Sequence, residues 1–600
     1  MQTQEMPVSE PHAARLSDLR RRLSARGADG FIVPLTDEHA SEYVAGYAQR
    51  LAWLTGFDGS AGSAIVLPET AAIFIDGRYT LQAEQQVNGD LFARVPTAET
   101  EPLDWLAAHA GKGMTIGYDP RLHTPGWVET AARAARRAGA AITPLDPNPV
   151  DEVWPDQPPR PDVPAAAHAV AFAGESSADK RARMGRAIAD LGADAAAITA
   201  LDSVAWLFNI RGEDVRHTPV ALAYALLNAD ATARLFIAPE KVTDELRSHL
   251  GDDVAITDYD DFYPALESLG GRVLADPATA NAAVFDRLAA GGAESVREAE
   301  PCALAKACKN ATEAAGARAA HLRDGRALCE FLHWLDDVAP RGELDELAAA
   351  HKLESFRKEN AEYRGPSFDT ISGAGPNGAI IHYRVNAASS RPLEPGRLYL
   401  VDSGGQYPDG TTDVTRIVPI GDVGEEERRN FTLVLKAHIA LATLRFPPGT
   451  TGSHIDAIAR RPMWDAGLDY GHGTGHGVGS YLAVHEGPQR IARPLNAVAL
   501  RPGMILSNEP GFYKRDGYGI RIENLVLVED DDSATERDFL RFETLTLAPI
   551  DRRLILPGML NAEERAWLDA YHARVRAAHE DSISRAARDW LIAMTAPLEG

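Results

Sequence analysis

The sequence predicts an α+β protein in which two α/β segments precede a larger α+β segment. Its 600 residues exceed what a single hydrophobic core usually holds. A proline-rich stretch, LDPNPVDEVWPDQPPRPDVP at 145–164, disfavours both helix and sheet interior and marks a linker. Helix and strand patterns alternate on both sides of it. We therefore expect domains at 1–155, 165–303 and 304–600.

The first domain and the second share a local design. In the first, a helix pattern ends at Gly-Ala-Asp and a strand follows, RRLSARGADGFIVPL at 21–35, with Trp53-Leu54 later in the chain. In the second, MGRAIADLGADAAAITAL at 184–201 is followed by Trp206-Leu207. We interpret this as a duplicated α/β unit, and the alternative is chance similarity between alanine-rich helices.

The third domain opens with a long amphipathic helix. Asn310 is placed to cap it and Glu313 to close a capping box. From there to about residue 550, helices alternate with hairpin-like strand pairs, and 561–596 has a helical pattern. This domain is therefore predicted to be α+β.

Composition limits the possible partners. The chain has 45% hydrophobic and 24% charged residues, as soluble globular proteins do, and its formal charge of −25 argues against nucleic acid or an anionic membrane. The start of the chain lacks a signal-peptide pattern, and the apolar run at 220–229 is too short to span a bilayer. We expect a cytoplasmic protein with three reduced thiols: Cys302, Cys308 and Cys329.

Four acidic residues lie inside strands that are otherwise apolar. Asp402 and Asp413 flank a Pro-Asp-Gly turn, and Glu509 and Glu523 stand on the two arms of a second hairpin. Burying unpaired carboxylates costs several kcal/mol each, so four of them brought together require cations, and two divalent ions would neutralise them. The alternative is that each acid is a solvated edge-strand residue.

The stretch GHGTGHGVG at 471–479 contains two histidines, His472 and His476, at the spacing of paired zinc ligands on a helix. Five glycines in nine positions oppose a helix, so the loop is expected to supply one nitrogen ligand. Oxygen-dominated ligands with a single imidazole suit manganese, cobalt or ferrous iron better than structural zinc. Two other histidines on helical segments, His438 and His454, are interpreted as structural.

Five motifs, in the order DSGGQY…TTDVTR, HGTGHGVG, HEGP, SNEPGFY and GIRIEN, resemble those of the pita-bread metallopeptidases. In particular, the chain is similar to the three-domain cytosolic Xaa-Pro aminopeptidases. RLAWLTGFDGSAGSAIV, DGRY, KNATEAAG and GPNGAIIHY, whose AIIHY is strand-like, extend the likeness over nearly the whole chain. The resemblance implies a C-terminal pita-bread catalytic domain with a helical extension, preceded by two related α/β domains of the creatinase N-terminal type.

The resemblance also implies residue roles. The implied metal ligands are Asp402, Asp413, His476, Glu509 and Glu523. Glu509 is the implied proton shuttle, and a hydroxide that bridges two divalent ions is the nucleophile; manganese is expected, with cobalt, ferrous iron or zinc as alternatives. His485 and His382 are the further catalytic residues implied. The implied substrate-binding residues are Arg78, His382, His472, His485, Tyr513 and Arg521.

The function that this resemblance implies is removal of the first residue from peptides with proline at the second position. A cytoplasmic homodimer is expected, with no nucleic acid or membrane partner. Two alternatives stay open. One is a prolidase that cleaves Xaa-Pro dipeptides with the same metals, and the other is a non-catalytic peptide-binding module on the same fold.

Overall fold

The computed structural model describes residues 10–533 and 536–598. The chain forms two compact units, Met1–Ala167 with Glu175–Cys302 and His168–Gly174 with Ala303–Gly600. Within the described residues, no helix combines the length and the apolar character needed to cross a membrane.

The first unit contains two α/β segments, each built around a six-stranded sheet. The strands of the first segment are Gly30–Pro34 (β1), Gly62–Val66 (β2), Ala71–Ile75 (β3), Ala93–Pro96 (β4), Thr115–Tyr118 (β5) and Ala141–Pro144 (β6). Its helices are Glu10–Ala25 (α1), Arg50–Thr55 (α2), Thr80–Gln86 (α3), Pro102–His109 (α4) and Pro125–Arg137 (α5).

The second segment of this unit follows the same plan. Its strands are Ala166–Ala167 (β7), Ala195–Ile198 (β8), Ile210–Arg211 (β9), Ala223–Asn228 (β10), Ala233–Ile237 (β11), Val254–Thr257 (β12), Arg272–Ala275 (β13) and Glu294–Val296 (β14). Its helices are Ser177–Asp190 (α7), Leu201–Phe208 (α8), Asp244–Leu250 (α9), Phe262–Leu266 (α10) and Ala282–Gly291 (α11).

Strand order confirms the predicted duplication. The first sheet runs β4-β3-β2-β1-β5-β6 and the second β12-β11-β10-β8-β13-β14. Both sheets have two antiparallel pairings in the centre and parallel pairings toward the edges. Chance likeness between helices would not reproduce six strands in the same order and direction.

The shared Gly-Ala-Asp motif has the same structural role in both segments. Asp29 donates its N–H to Thr115 O at 2.7 Å, and its carboxylate accepts the Thr115 N–H at 2.8 Å. Asp194 makes the same pair of bonds with Arg272, at 2.7 and 2.8 Å. Asp29 therefore joins the start of β1 to the parallel strand β5, and Asp194 joins the start of β8 to the parallel strand β13.

The second unit carries the C-terminal half of the chain. Its helices are Val170–Ala173 (α6), Pro301–Ala307 (α12), Ala311–Val338 (α13), Glu346–Arg357 (α14), Glu425–Ala442 (α15), Gly452–Trp464 (α16), Ala562–His579 (α17) and Arg585–Met594 (α18). Its first strands are Gly365–Pro366 (β15), Ile371–Ala374 (β16), Arg397–Ser403 (β17), Gly405–Tyr407 (β18), Gly410–Thr411 (β19), Val414–Ile420 (β20) and Arg445–Phe446 (β21). The remaining strands are Gly475–Gly477 (β22), Glu486–Ile491 (β23), Ile505–Asn508 (β24), Gly511–Lys514 (β25), Tyr518–Arg521 (β26), Asn524–Asp530 (β27) and Leu540–Thr544 (β28).

Antiparallel sheets form the centre of this unit, and helices pack on them. The sheets run β16-β17-β20, β21-β28-β27-β24-β22-β23 and β25-β26. The predicted capping box of α13 is present, with Asn310 and Glu313 each bonded to the other's backbone N–H. A core of buried residues from α15, α17, β17 and β26 includes Leu400, Leu435 and Ile520. The predicted mixture of helices and hairpins is confirmed.

One local expectation is wrong. The segment AIIHY at 379–383, strand-like in sequence, forms no strand: its first residue ends a short 3-10 helix, Gly375–Ala379, and a bend and a turn follow. The backbone of this helix packs so tightly on β26 that a Cβ on Gly519 would lie 1.7 Å from Gly378 O. Tertiary packing therefore overrides the apolar pattern here.

Candidate metal centre

Two aspartates lie at one end of the β17-β20 hairpin. Asp402 is on β17, opposite Thr415, and Asp413 immediately precedes β20. The two acids are 6% and 4% exposed, so they are buried among apolar strand residues. The reading of these acids as solvated edge-strand residues is therefore wrong.

Two glutamates lie where a long hairpin is interrupted. β24 pairs with β27 up to Asn508 and Asn524, and β25 pairs with β26 from Gly511 and Arg521 in the same register. Glu509 and Glu523 occupy the gap and stand opposite each other. Both glutamates are thus held by strands on two sides.

His476 enters the site from β22, a three-residue strand between β23 and β24. Its Nδ1 donates to Gly477 O at 2.9 Å, so Nε2 is the atom that can bind a metal when the ring is neutral. Nε2 is 3.4 Å from Asp413 Oδ2 and 3.7 Å from Glu509 Oε1. The imidazole therefore directs Nε2 toward the same space as the carboxylate oxygens.

Three side chains converge closely enough to bind one ion. Asp413, His476 and Glu523 each offer one ligand atom, and these atoms lie within 4.8 Å of one another. Buried oxygens of Asp402 and Asp413, both Oδ1, have no hydrogen-bond partner in the described structure. Orphaned buried carboxylate oxygens are costly, and a divalent cation would satisfy them. The donor set of carboxylates with one imidazole fits the predicted metal.

The pKa values show a centre with excess negative charge. Burial, together with the charges of Asp413 and Glu509, raises the pKa of Asp402 to about 7, against the lowering effect of Arg521. Burial and the charges of Asp413, Asp402 and Glu509 raise the pKa of Glu523 well above its usual value. Bound cations would reverse these shifts, because they favour the ionised carboxylates.

Glu509 and His476 shift in the opposite sense. Burial would raise the pKa of Glu509, but the nearby His476, His472 and Arg521 lower it overall. Burial would lower the pKa of His476, but its bond to Asp413 and the charge of Glu509 raise it to about 9. In the absence of metal, the protonated imidazole of His476 therefore neutralises part of the negative charge of the cluster.

Arg521 links the carboxylates. Its Nη2 lies 2.5 Å from Asp402 Oδ2, its Nε donates to Thr415 Oγ1 at 3.0 Å, and its Nη1 donates to Tyr513 OH at 2.6 Å. Thr415 Oγ1 in turn donates to Glu523 Oε2 at 2.7 Å. Arg521 thus orients acidic side chains from both hairpins. All the contacts described for Arg521 are with other residues of the chain.

His472 lies beside the cluster and outside the three converging ligands. Its Nδ1 bonds Gly473 O at 2.7 Å, so its Nε2 accepts from Tyr513 OH at 2.9 Å. Burial lowers its pKa to about 4. A neutral histidine held in this way is consistent with a cleft wall.

His485 lies beside His476. The two imidazole rings are 4.4 Å apart and nearly perpendicular. The next residue, Glu486, is buried between Lys309 Nζ at 2.5 Å and Lys306 Nζ at 2.9 Å. These ion pairs fix the backbone that carries His485.

Two further predicted residues are on other segments of the chain. His382 is half-buried on the turn segment between β16 and β17. Arg78 belongs to the first unit, where its Nε pairs with Asp76 Oδ1 at 2.7 Å and its guanidinium lies 5.7 Å from the centre of the Tyr79 ring.

Sequence reasoning missed the residues that hold the histidine loop. Arg460 on α16 donates to His472 O at 2.6 Å and pairs with Asp456 at 2.7 Å. Asp456 accepts from Thr474 Oγ1 at 2.6 Å, and Thr474 O accepts the N–H of Glu509 at 2.9 Å. The only feature of the sequence that pointed to these contacts was Thr474, a hydroxyl-bearing residue within the glycine loop.

Comparison with known proteins agrees with this geometry. The model of metallopeptidase family M24 matches residues 315–530, and that of the C-terminal region of this peptidase matches 538–598. Two models described as the creatinase/prolidase N-terminal domain match residues 15–153 and 156–313. Separate family models thus match each of the two α/β segments and the C-terminal half of the chain.

Whole-chain relatives carry one activity in their names. A probable Xaa-Pro aminopeptidase P from Colletotrichum graminicola is 41% identical over 94% of this chain and 95% of its own. One from Aspergillus niger is 40% identical over 97% and 98%. The X-prolyl aminopeptidase of Caenorhabditis elegans, a cytosolic enzyme with a di-nuclear active site, superposes with a TM-score of 0.93 at 34% identity, over 98% and 100%.

A more distant structure shares the fold. The prolidase of Thermococcus sibiricus superposes with a TM-score of 0.51 at 22% identity, over 63% of this chain and 98% of its own. The aminopeptidases named above match over nearly the full length of both chains, whereas this prolidase covers 63% of this chain. This chain therefore belongs to the Xaa-Pro aminopeptidase P family of M24 metallopeptidases.

Proposed function

We propose that this chain hydrolyses the bond between the first residue of a peptide and a proline at the second position. The observation that carries the proposal is the convergence of Asp413, His476 and Glu523 within 4.8 Å, next to orphaned oxygens of Asp402 and Asp413. Full-length likeness to named Xaa-Pro aminopeptidases supplies the substrate class.

Two divalent ions, with manganese the favoured metal, would be held by Asp402, Asp413, His476, Glu509 and Glu523. When bound, such ions polarise a carbonyl and make hydroxide available near neutral pH. The buried carboxylates support a pair of ions, because one dication would leave much of their charge uncompensated. Oxygen-rich ligation with a single imidazole favours manganese, cobalt or ferrous iron over zinc.

Glu509 is proposed to move the proton. Its lowered pKa keeps the carboxylate ionised near neutral pH, so it can accept a proton from water and deliver it to the proline nitrogen. Its Oε1 accepts from Ser507 Oγ at 3.2 Å, which fixes the rotation of the carboxylate. The proline nitrogen needs this proton because it leaves as an amine.

His485 and His382 are proposed to contact the substrate. His485 is anchored next to His476 by the buried Glu486 ion pairs, so its imidazole can donate to the developing oxyanion. His382 is the second catalytic histidine proposed. His472, Tyr513 and Arg521 form a connected wall that suits a proline ring and its neighbours, and Arg78 is proposed to contact substrate from the first unit.

We propose three domains at 1–155, 165–303 and 304–600, a division supported by the two sheets of equal topology. A homodimer formed through the second unit is also proposed, and the exposed Trp464 and Leu495 of that unit support it. The C. elegans relative is a cytosolic enzyme, and we propose the same compartment here. The charge of −25 argues against nucleic acid and anionic membranes as partners.

The test is release of the N-terminal residue from Arg-Pro-Pro, Arg-Ala-Pro and the dipeptide Arg-Pro. The protein is first stripped of metal and then loaded with manganese. Metal-dependent cleavage of Arg-Pro-Pro alone is expected. Preference for Arg-Pro would instead make the chain a prolidase, and no release from any of the three would favour a peptide-binding module.

A further inference from the structure

The hairpin that carries both glutamate ligands has a defect at the site. Asn508 stands opposite Asn524 and Gly511 opposite Arg521, so the register continues through the gap and places Pro510 opposite Ile522. Pro510 O accepts the Ile522 N–H at 3.3 Å. The reciprocal bond cannot form, because proline has no N–H to donate to Ile522 O.

A helix supplies the missing donor. His438 on α15 places its Nδ1 3.2 Å from Ile522 O and 3.1 Å from Asn508 O. Both partners are carbonyl oxygens, which only accept, so Nδ1 carries the proton and shares it between them. The two carbonyls belong to the residues immediately before Glu523 and Glu509.

The rest of His438 is tied to the same hairpin. Its Nε2 accepts from Asn524 Nδ2 at 3.1 Å, and its backbone oxygen accepts from Asn508 Nδ2 at 2.9 Å. The side chain is fully buried, and burial together with the neighbouring Arg416 lowers its pKa to about 3. The imidazole is therefore neutral, as this bonding pattern requires.

We propose that His438 is a positioning residue for the metal centre, which sets the separation and orientation of Glu509 and Glu523 by bonding to the carbonyls that precede them. The sequence alone led to the interpretation of His438 as structural, and the proposal assigns it this additional role. The inference rests on the proposed metal ligand set. It requires no contact between His438 and metal or substrate.

The geometry explains why a histidine is needed at this position. Without the Nδ1 donor, the buried Ile522 O loses its partner, and the strands at the gap would relax to find another. The glutamates would then approach a metal with altered geometry. Groups that orient ligands in this way typically change metal affinity by about 10- to 100-fold when they are lost.

The test compares two substitutions that differ in where they place an amide. His438→Asn can place its side-chain nitrogen near the position of Nδ1 and keep a donor to the two carbonyls. His438→Gln extends the amide toward the position of Nε2 and lacks that donor. Both are polar, and Asn is one methylene smaller than Gln, so a general loss of packing would weaken His438→Asn at least as much as His438→Gln.

The measurement is manganese binding to the metal-free full-length chain by titration calorimetry. We expect wild-type protein and His438→Asn to bind two ions with similar affinity, and His438→Gln to bind about 10- to 100-fold more weakly. The control is His579→Asn, since this equally buried histidine bonds Leu547 O at 2.8 Å and touches no proposed ligand. It should bind manganese as wild type does.

Equal affinity of His438→Gln and wild type would overturn the inference, as would equal weakening of His438→Asn and His438→Gln or similar weakening in the control. A wild-type chain that binds no manganese would overturn the proposed metal centre, and the inference with it. Normal wild-type binding with unaltered binding in His438→Gln would overturn the inference alone.

Discussion

Arg521 bonds directly to the carboxylate of one proposed ligand and reaches a second proposed ligand on the other hairpin. It pairs with Asp402 and reaches Glu523 through Thr415. Even with this partner, burial raises the pKa of Asp402 to about 7. One guanidinium is therefore too little charge for this cluster, which is the physical reason to expect metal.

Replacing Arg521 by Gln should weaken manganese binding by about 10- to 100-fold. The pKa of Asp402 would rise further above 7, so more of this carboxyl is protonated at pH 6 than at pH 8 and cannot bind metal. Calorimetry at both pH values should show the larger loss at pH 6. Arg318→Gln, which removes a half-exposed arginine from Glu529 and Glu543, is the control. An equal loss at the two pH values would contradict this account.

Glu509→Gln tests the proton-transfer role. Glutamine keeps the shape and one oxygen for the metal but cannot accept a proton, so kcat at saturating manganese should fall by about 10²- to 10⁴-fold, in the range of general acid–base catalysis. Thermal unfolding should be little changed. Glu529→Gln, outside the cluster, should keep full activity. A Glu509→Gln enzyme that retains more than a tenth of wild-type kcat would refute the assignment.

At the scale of elements, the glycines of β22 explain how a histidine reaches the metal ligands. A Cβ on Gly475 would lie 2.0 Å from Ser507 O, and one on Gly477 would lie 2.2 Å from Glu486 O. The strand on which His476 stands is thus pressed between the backbones of β23 and β24. Alternating glycines are needed for this close approach, and a helix with paired zinc ligands is excluded.

Gly475→Ala should therefore move β22 and destabilise the protein by about 1–3 kcal/mol, the usual cost of overpacking. It should also weaken manganese binding, because His476 is the next residue. Gly471→Ala is the matched control from the same loop, since a Cβ there has no neighbour within 4 Å. Urea unfolding and calorimetry report both effects. Equal behaviour of the two variants would contradict the packing argument.

The same elements show how far the sequence could predict the site. Acids inside apolar strands indicated a buried cluster, and the family motifs indicated which histidine of the glycine loop would join it. His438 escaped prediction because its partners are carbonyls 70 and 84 residues away, contributed by backbone and invisible in residue type. The strand expected around His382 failed because tight packing against Gly519 fixes the segment that precedes it as a 3-10 helix.

Across the whole molecule, the duplicated sheets were predictable because each repeats a local Gly-Ala-Asp turn with its own ladder bond.

Side-chain chemistry also affects the whole molecule, because buried neutral histidines make the free energy of unfolding depend on pH. His572 on α17 accepts the Ile550 N–H at 3.2 Å, and burial lowers its pKa to about 4. Its pKa in the unfolded chain is about 6.5.

The unfolded state therefore binds more protons than the folded state between about pH 6.5 and 4. As pH falls through this window, the free energy of unfolding should decrease by about 1.4 kcal/mol per pH unit for this histidine. Urea unfolding at several pH values measures the slope. His572→Gln keeps an acceptor for Ile550 N–H and cannot titrate, so its slope should be shallower. An unchanged slope in this variant would contradict the assignment.

The proposed function depends on two divalent ions held by the five proposed ligands. Anomalous diffraction at the manganese edge, from crystals of the manganese-loaded chain, would locate these ions. We expect two peaks, both within bonding distance of side-chain atoms drawn from Asp402, Asp413, His476, Glu509 and Glu523. No peak in this cluster, or manganese bound only elsewhere in the chain, would contradict the account.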